Sequence, residues 1–304
     1  RYRIAQLYEE EGNWTEAEKA YWEVAEYHSL KPKGLYAPIY VLSHYKSEKD
    51  AIGEEAAYTK AVAHFEDLVE QAGPIELAAS IKYFYGIVQA THNHWQDARA
   101  VWLKSAEEYP KNYYAPLAVL AAAEVSAKNG EKEQALVIYE DFRNRYSTHG
   151  LASRTIVLQS TLYHELGNFA KERELLTDSL PKYFSKNTNV QADIKLLIGK
   201  SFQDEGNWNE AERVYQEIET QYPDTGAALQ IPLMTALYHN TAGQTEAAEK
   251  SLNDAITRYQ QVQLEHPDTA SSVQARRLMT AAYAQKGDWN QVMTNVEEDM
   301  QKET

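Results

Sequence analysis

Small and apolar residues recur three and four positions apart along nearly the whole chain, with charged and amide residues between them. In GNWTEAEKAYWEV, residues 12–24, Ala17, Tyr21 and Val24 share one side of a 3.6-residue helix. In GNWNEAERVYQEI, residues 206–218, Ala211, Tyr215 and Ile218 do the same. Ahead of each stretch another apolar-periodic segment runs up to a Gly. Gly and Asn adopt the left-handed conformation that ends a helix, so each site predicts a helix, a tight turn and a second helix.

The turn recurs. GNWTEA begins at Gly12, NHWQDA at Asn93, GEKEQA at Gly130, GNFAKE at Gly167, GNWNEA at Gly206, GQTEAA at Gly243 and GDWNQV at Gly287. AAYTKA from Ala56 fills the second place by spacing, with Ala61 as its small residue. Successive intervals are then 44, 37, 37, 37, 39, 37 and 44. An aromatic often follows two positions later: Trp14, Tyr58, Trp95, Phe169, Trp208 and Trp289. Pro110, Pro223 and Pro267 close units, Pro116 and Pro232 lie near the start of the next first helix, and TRYQQVQLEH lengthens the second helix of the seventh unit. The prediction is all-α: one body of about eight antiparallel helix pairs, with units near 1–34, 35–75, 76–112, 113–149, 150–188, 189–225, 226–269 and 270–304. A catalytic motif is used once. A pair that cannot bury its own apolar face is used many times, because stacking builds the core.

On these residues the chain resembles the tetratricopeptide repeat family, whose pairs carry a small residue midway along the first helix and two on the second. Gly86, Ala98 and Ser105 match, as do Ala236, Ala248 and Ala255, and Gly199 with Ala211. Glu172 and Val292 stand where Ala is usual, and the second unit lacks the Gly. The junctions EEYPKNYYAPLA and TQYPDTGAALQI are similar to those of bacterial envelope members, the outer-membrane assembly lipoprotein D and Tol-Pal coordinator types. The resemblance implies a right-handed superhelical solenoid with a concave groove lined by first helices.

Composition changes little in that picture. Ala, Glu and Gln favour helix, and no sheet is expected. Forty-five acidic against thirty basic residues give a net charge of −15, which argues against nucleic acid as a partner. Cysteine is absent, so disulfides, thiolate metal sites and a Cys nucleophile are excluded. No run approaches the roughly 20 apolar residues of a membrane helix. The opening RYRIAQLYEE starts inside helical periodicity without Met or signal peptide, and reads as a processed or truncated piece whose anchor or further domains would lie outside it.

Single-use chemistry is thin. The HNH of residues 92–94 falls at an inter-helix turn without partners at ligand spacing. His164 with Glu165, and Asp193 near Lys200, are the only acid–base pairings to weigh, and both read as structural. No phosphate loop, nucleophile elbow or zinc-helix motif occurs. The expectation is a protein without enzymatic activity, cofactor or metal.

Transferring the family's groove positions gives Tyr83 and Ile87 in the third unit, Leu120 and Glu124 in the fourth, and Val157, Thr161 and His164 in the fifth. Leu196, Lys200 and Gln203 follow in the sixth, Leu233, Leu237 and Asn240 in the seventh, and Arg277 in the last. Mixed apolar and polar positions suit a peptide or partner protein. The Lys, Asn and Arg of a chaperone-tail clamp are missing, because Tyr2, Gln6, Tyr83 and Ile87 occupy those places. The expected role is an interaction scaffold facing the periplasm or outer membrane. A cytoplasmic adaptor, or the accessory arm of a larger enzyme or complex, is the alternative. Self-association through the terminal faces is the further expectation.

Overall fold

The computed structural model describes residues 1–73, 76–267 and 269–302. Among them there are sixteen α-helices and no strand. They form eight pairs: α1 (Tyr2–Glu10) with α2 (Trp14–Tyr27), α3 (Pro32–Ser47) with α4 (Ala51–Ala72), α5 (Leu77–Thr91) with α6 (Trp95–Glu108), and α7 (Tyr114–Lys128) with α8 (Lys132–Arg145). Then come α9 (Ala152–Glu165) with α10 (Phe169–Ser179), α11 (Thr188–Asp204) with α12 (Trp208–Gln221), α13 (Gly226–Thr241) with α14 (Thr245–Glu265), and α15 (Ala270–Lys286) with α16 (Trp289–Lys302). A π-helical turn, Leu180–Phe184, extends α10. The chain divides into two compact units, Arg1–Leu162 and Tyr163–Thr304, and the division falls within α9.

The predicted turns are present. Gly12 (φ 74°) and Gly206 (φ 88°) are left-handed, as is Asn93 (φ 67°). Behind them Asn13 and Asn207 accept the backbone N–H of Glu16 and Glu210, capping α2 and α12. The small residues meet large ones. A Cβ on Gly86 would lie 2.2 Å from the Trp102 indole, and one on Gly199 would lie 2.3 Å from the Tyr215 ring. Ala5 and Tyr21 pack in the corresponding places of the first pair.

The second turn is a correction. It is Lys49 (φ 58°), with Asp50 as the cap, so Ala56 lies inside the 22-residue α4 and not at a turn. Pro232 also differs from expectation, since it stands inside α13, as Pro38 stands inside α3. With the turn at Lys49, a longer period emerges. Gly12, Lys49 and Asn93 precede Gly206, Gly243 and Gly287 by 194 positions each, and Pro38 precedes Pro232 by the same 194. The bounds of α2, α3 and α6 shifted by that amount are the bounds of α12, α13 and α16. The long α4 has the long α14 as its counterpart. Two three-pair blocks, one in each unit, thus follow one plan.

Candidate functional site

In the first unit the first helices carry a run of tyrosines. Tyr36 and Tyr40 lie four apart on α3, so both rings leave one side of the helix, and they are 43% and 44% exposed. Tyr36 meets Phe84 of α5 edge-on, with ring centroids 4.9 Å apart. Phe84 and its neighbour Tyr83 both reach Tyr114 of α7, at 5.9 and 5.1 Å. Tyr114 in turn abuts the exposed Tyr113 at 5.3 Å. On the other side Tyr40 stacks on Tyr21 at 5.8 Å and contacts Tyr2 of α1 at 5.9 Å. A continuous path of rings therefore crosses α1, α3, α5 and α7. Burial raises the pKa of Tyr2, Tyr83 and Tyr114, so these phenols stay neutral donors at physiological pH.

The sequence-predicted positions fare unevenly against this face. Tyr83 belongs to it, and half-buried Ile87 lies one turn further along α5. Glu124 of α7 accepts a hydrogen bond from Arg154 of α9 at 2.5 Å. Val157 and Thr161 are exposed on α9, and the Thr161 hydroxyl donates back to the Val157 carbonyl. Leu120 is a correction: it is buried, because the same side of α7 packs against neighbouring helices, and it presents nothing to a partner.

In the second unit Leu196 is likewise buried and leaves the candidate set. Gln203 is engaged by the Tyr215 hydroxyl at 3.0 Å. Lys200 is half-buried, and Leu233 packs against the core cluster of α13, α14 and α15. Leu237, Asn240 and Arg277 are exposed. His164 is held by two carboxylates, Glu172 at 3.0 Å through Nδ1 and Asp204 at 3.2 Å through Nε2. Glu172, which replaces the usual Ala, is buried there. The histidine ties the ends of α9 and α11 to α10.

His92 stacks on Tyr58 at 4.0 Å with Glu55 3.4 Å from Nε2, while His94 contacts Tyr58 and Asp97. Among the described residues no three His, Cys, Asp or Glu side chains converge to hold a metal ion. None of the described helices is long and apolar enough to cross a membrane.

Sequence reasoning missed Tyr36, Tyr40 and Tyr113. Fifteen of the 22 tyrosines precede residue 163, and that asymmetry was the available signal.

The architecture is that of stacked tetratricopeptide-like helix pairs. A tetratricopeptide repeat family model matches residues 193–225, which runs from within α11 through the turn and α12 to the junction that follows. Comparison with curated proteins finds no match. Among solved structures, a tetratricopeptide repeat protein from Parabacteroides merdae is 17% identical, with 87% of this chain and 91% of that one covered at a TM-score of 0.44. The apo form of RapI is 12% identical over 86% of this chain and 97% of that one, with a TM-score of 0.42. Naa15/Naa10 bound to HypK-THB is 10% identical over 88% of this chain and 36% of that one, also at 0.42.

Proposed function

We propose that this chain is a non-catalytic interaction scaffold whose tyrosine face in the first unit binds an extended segment of a partner protein. One observation carries the reading. Tyr36, Tyr40 and Tyr83 correspond, 194 positions on, to Gln230, Met234 and Arg277, while the turns and helix bounds of the two blocks agree. The same helices form without those rings, so the architecture does not require them. Large, half-exposed aromatics with hydroxyl donors supply contact area at low entropic cost and pair with the carbonyls of an extended chain. The reading places the protein in the bacterial envelope, facing the periplasm or outer membrane, on the style of its Tyr-Pro junctions. A cytoplasmic adaptor would use the same face.

The test is paired affinity capture from membrane and soluble extracts, with the wild-type chain and with Tyr36→Gln/Tyr40→Met/Tyr83→Arg as baits. The expected result is a partner held by the first and lost by the second, with circular dichroism unchanged. Equal retention by both baits would move the binding surface elsewhere, and the fraction that yields the partner decides the compartment.

A further inference from the structure

Tyrosine hydroxyls in the first unit fall into two sets. Those of Tyr21, Tyr45, Tyr58 and Tyr85 are engaged within the fold, donating to Glu9, Glu18, Gln89 and Glu66. Those of Tyr36, Tyr83, Tyr113 and Tyr114 have no hydrogen-bond partner among the described residues, although α3, α5 and the start of α7 bring them together. Tyr83 lies within electrostatic reach of the other three, and Tyr114 within that of Tyr36 and Tyr113. The rings that carry them form steps and not a flat sheet. Tyr36 on Phe84, Phe84 on Tyr114 and Tyr114 on Tyr113 are turned by 75°, 62° and 87°.

We propose that the segment bound by this face is proline-rich and crosses α3, α5 and α7 as a polyproline II helix, an inference that rests on the scaffold reading above. A polyproline II chain has no internal hydrogen bonds, so its carbonyls stand out as acceptors, and proline has no N–H to satisfy in return. Such a ligand asks for donors alone. Four phenols offer them here, and Glu124, the carboxylate that bears on Tyr83, is already held by Arg154 at 2.5 Å.

Two other backbones fit less well. A β-segment needs acceptors for its own N–H groups, which a strand edge supplies, and there is no strand among the described residues. A helix satisfies its own carbonyls and would leave the four hydroxyls without partners. Ring spacing agrees with the choice. Successive centroids lie 4.9, 5.9 and 5.3 Å apart, close to the roughly 6 Å that two polyproline II residues advance. The steps between rings leave notches for flat pyrrolidine rings, and a preformed helix gives up little entropy on binding.

Fluorescence anisotropy of labelled decaproline titrated with the full chain tests this, with a Gly-Ser decamer and a helical Ala-Lys peptide as controls. Decaproline should bind saturably, and each control at least about tenfold more weakly. Tyr36→Phe/Tyr83→Phe keeps both rings and removes two donors, and should weaken decaproline binding about tenfold. Tyr36→Gln/Tyr40→Met/Tyr83→Arg should abolish it, with circular dichroism unchanged for both variants. No binding to the wild type up to about 1 mM overturns the inference. A control that binds as well as decaproline overturns it too, as does a Phe variant that binds as tightly as the wild type. The capture experiment above judges the scaffold reading separately. A partner held by the wild type and lost by the triple variant sustains that reading even where decaproline fails to bind.

Discussion

Residues 1–108 and the matching block that ends at Lys302 solve one folding problem twice with different side chains. Turn, cap and first aromatic are held in common: Gly12, Asn13 and Trp14 return as Gly206, Asn207 and Trp208. Proline inside the second first-helix returns too, as Pro38 and Pro232. What changes is the filling. The first block sets Trp102 against Gly86; the second has Thr280 and Val296 at those two positions, with the Thr280 hydroxyl met by the buried Asn295 and Val296 left 41% exposed. The first has His64 near Ala25 in sequence register, where the second has the Arg258–Glu219 ion pair at 2.6 Å. Backbone geometry is therefore specified by a few turn and small-residue positions, and the remaining sites are open to divergence in packing, charge and binding.

The largest effect should come from exchanging the packing partners. Gly86→Thr drives a branched side chain into the Trp102 indole, which a Cβ alone would already approach to 2.2 Å. Overpacking of this kind costs about 1–3 kcal/mol. Trp102→Val alone empties the site and costs about 3–5 kcal/mol. Together they install the residues that the second block has at these positions, and the space Val leaves takes the Thr side chain, so denaturant melts should show the double variant losing less than the two single losses combined, by about 1–3 kcal/mol. Strict additivity would mean that the blocks share helix bounds without sharing a packing plan.

Next comes the ion pair. Arg258 donates to Glu219 and to the Pro223 carbonyl, and both side chains are largely covered. Arg258→His installs the residue of the first block and strands a half-buried carboxylate, at a cost of about 1–3 kcal/mol. Adding Glu219→Ala, which copies Ala25, should return most of that loss in the same melts. A double variant as unstable as the single would assign the cost to lost arginine packing instead.

Tyr36→Gln and Tyr40→Met test the opposite property, a change that stability ignores. Each ring is nearly half exposed, so the pair should shift unfolding by about 0.5 kcal/mol or less per residue while abolishing partner capture. A loss several times larger would make these rings part of the core, and would remove the reason for reading them as a binding face.

How much of this was legible in the sequence follows from what each residue must do. Gly12 and Gly206 announce their turns because few other residues adopt that backbone. Lys49 does the same work without a Gly, so the second turn was sought at Ala56, seven positions late, and the 194-residue duplication stayed hidden. The small residues were readable because Gly86 and Gly199 leave room for one ring each. The binding face was only partly readable. Tyr83 came from a family position, whereas Tyr36 and Tyr40 sit on the helix ahead of the misplaced turn. Leu120 and Leu196 illustrate the converse limit: helical spacing places a residue on a face, but neighbouring helices decide whether that face stays open.

The smallest expected effect concerns pH, and it again sets one block against the other. Burial lowers the pKa of His64 below its ordinary 6.5, against the pull of Asp67 and Glu26 and with some help from Lys60. Its Nε2 is buried without a hydrogen-bond partner. The unfolded chain therefore takes up this proton near pH 6.5 and the folded chain only at lower pH, so His64 subtracts stability as pH falls below about 6.5. Glu219 behaves oppositely. Burial raises its pKa above 4.5 despite Arg258, so the folded chain binds that proton first, and acidification towards 4.5 adds stability. Thermal melts at pH 7 and pH 5.5 on the wild type, His64→Gln and Glu219→Gln separate the two. The drop in Tm on acidification should shrink in His64→Gln and grow in Glu219→Gln. An unchanged drop in His64→Gln would mean that the imidazole already binds its proton within the fold. The contrast between a titrating site in one block and a permanent guanidinium in the other would then disappear.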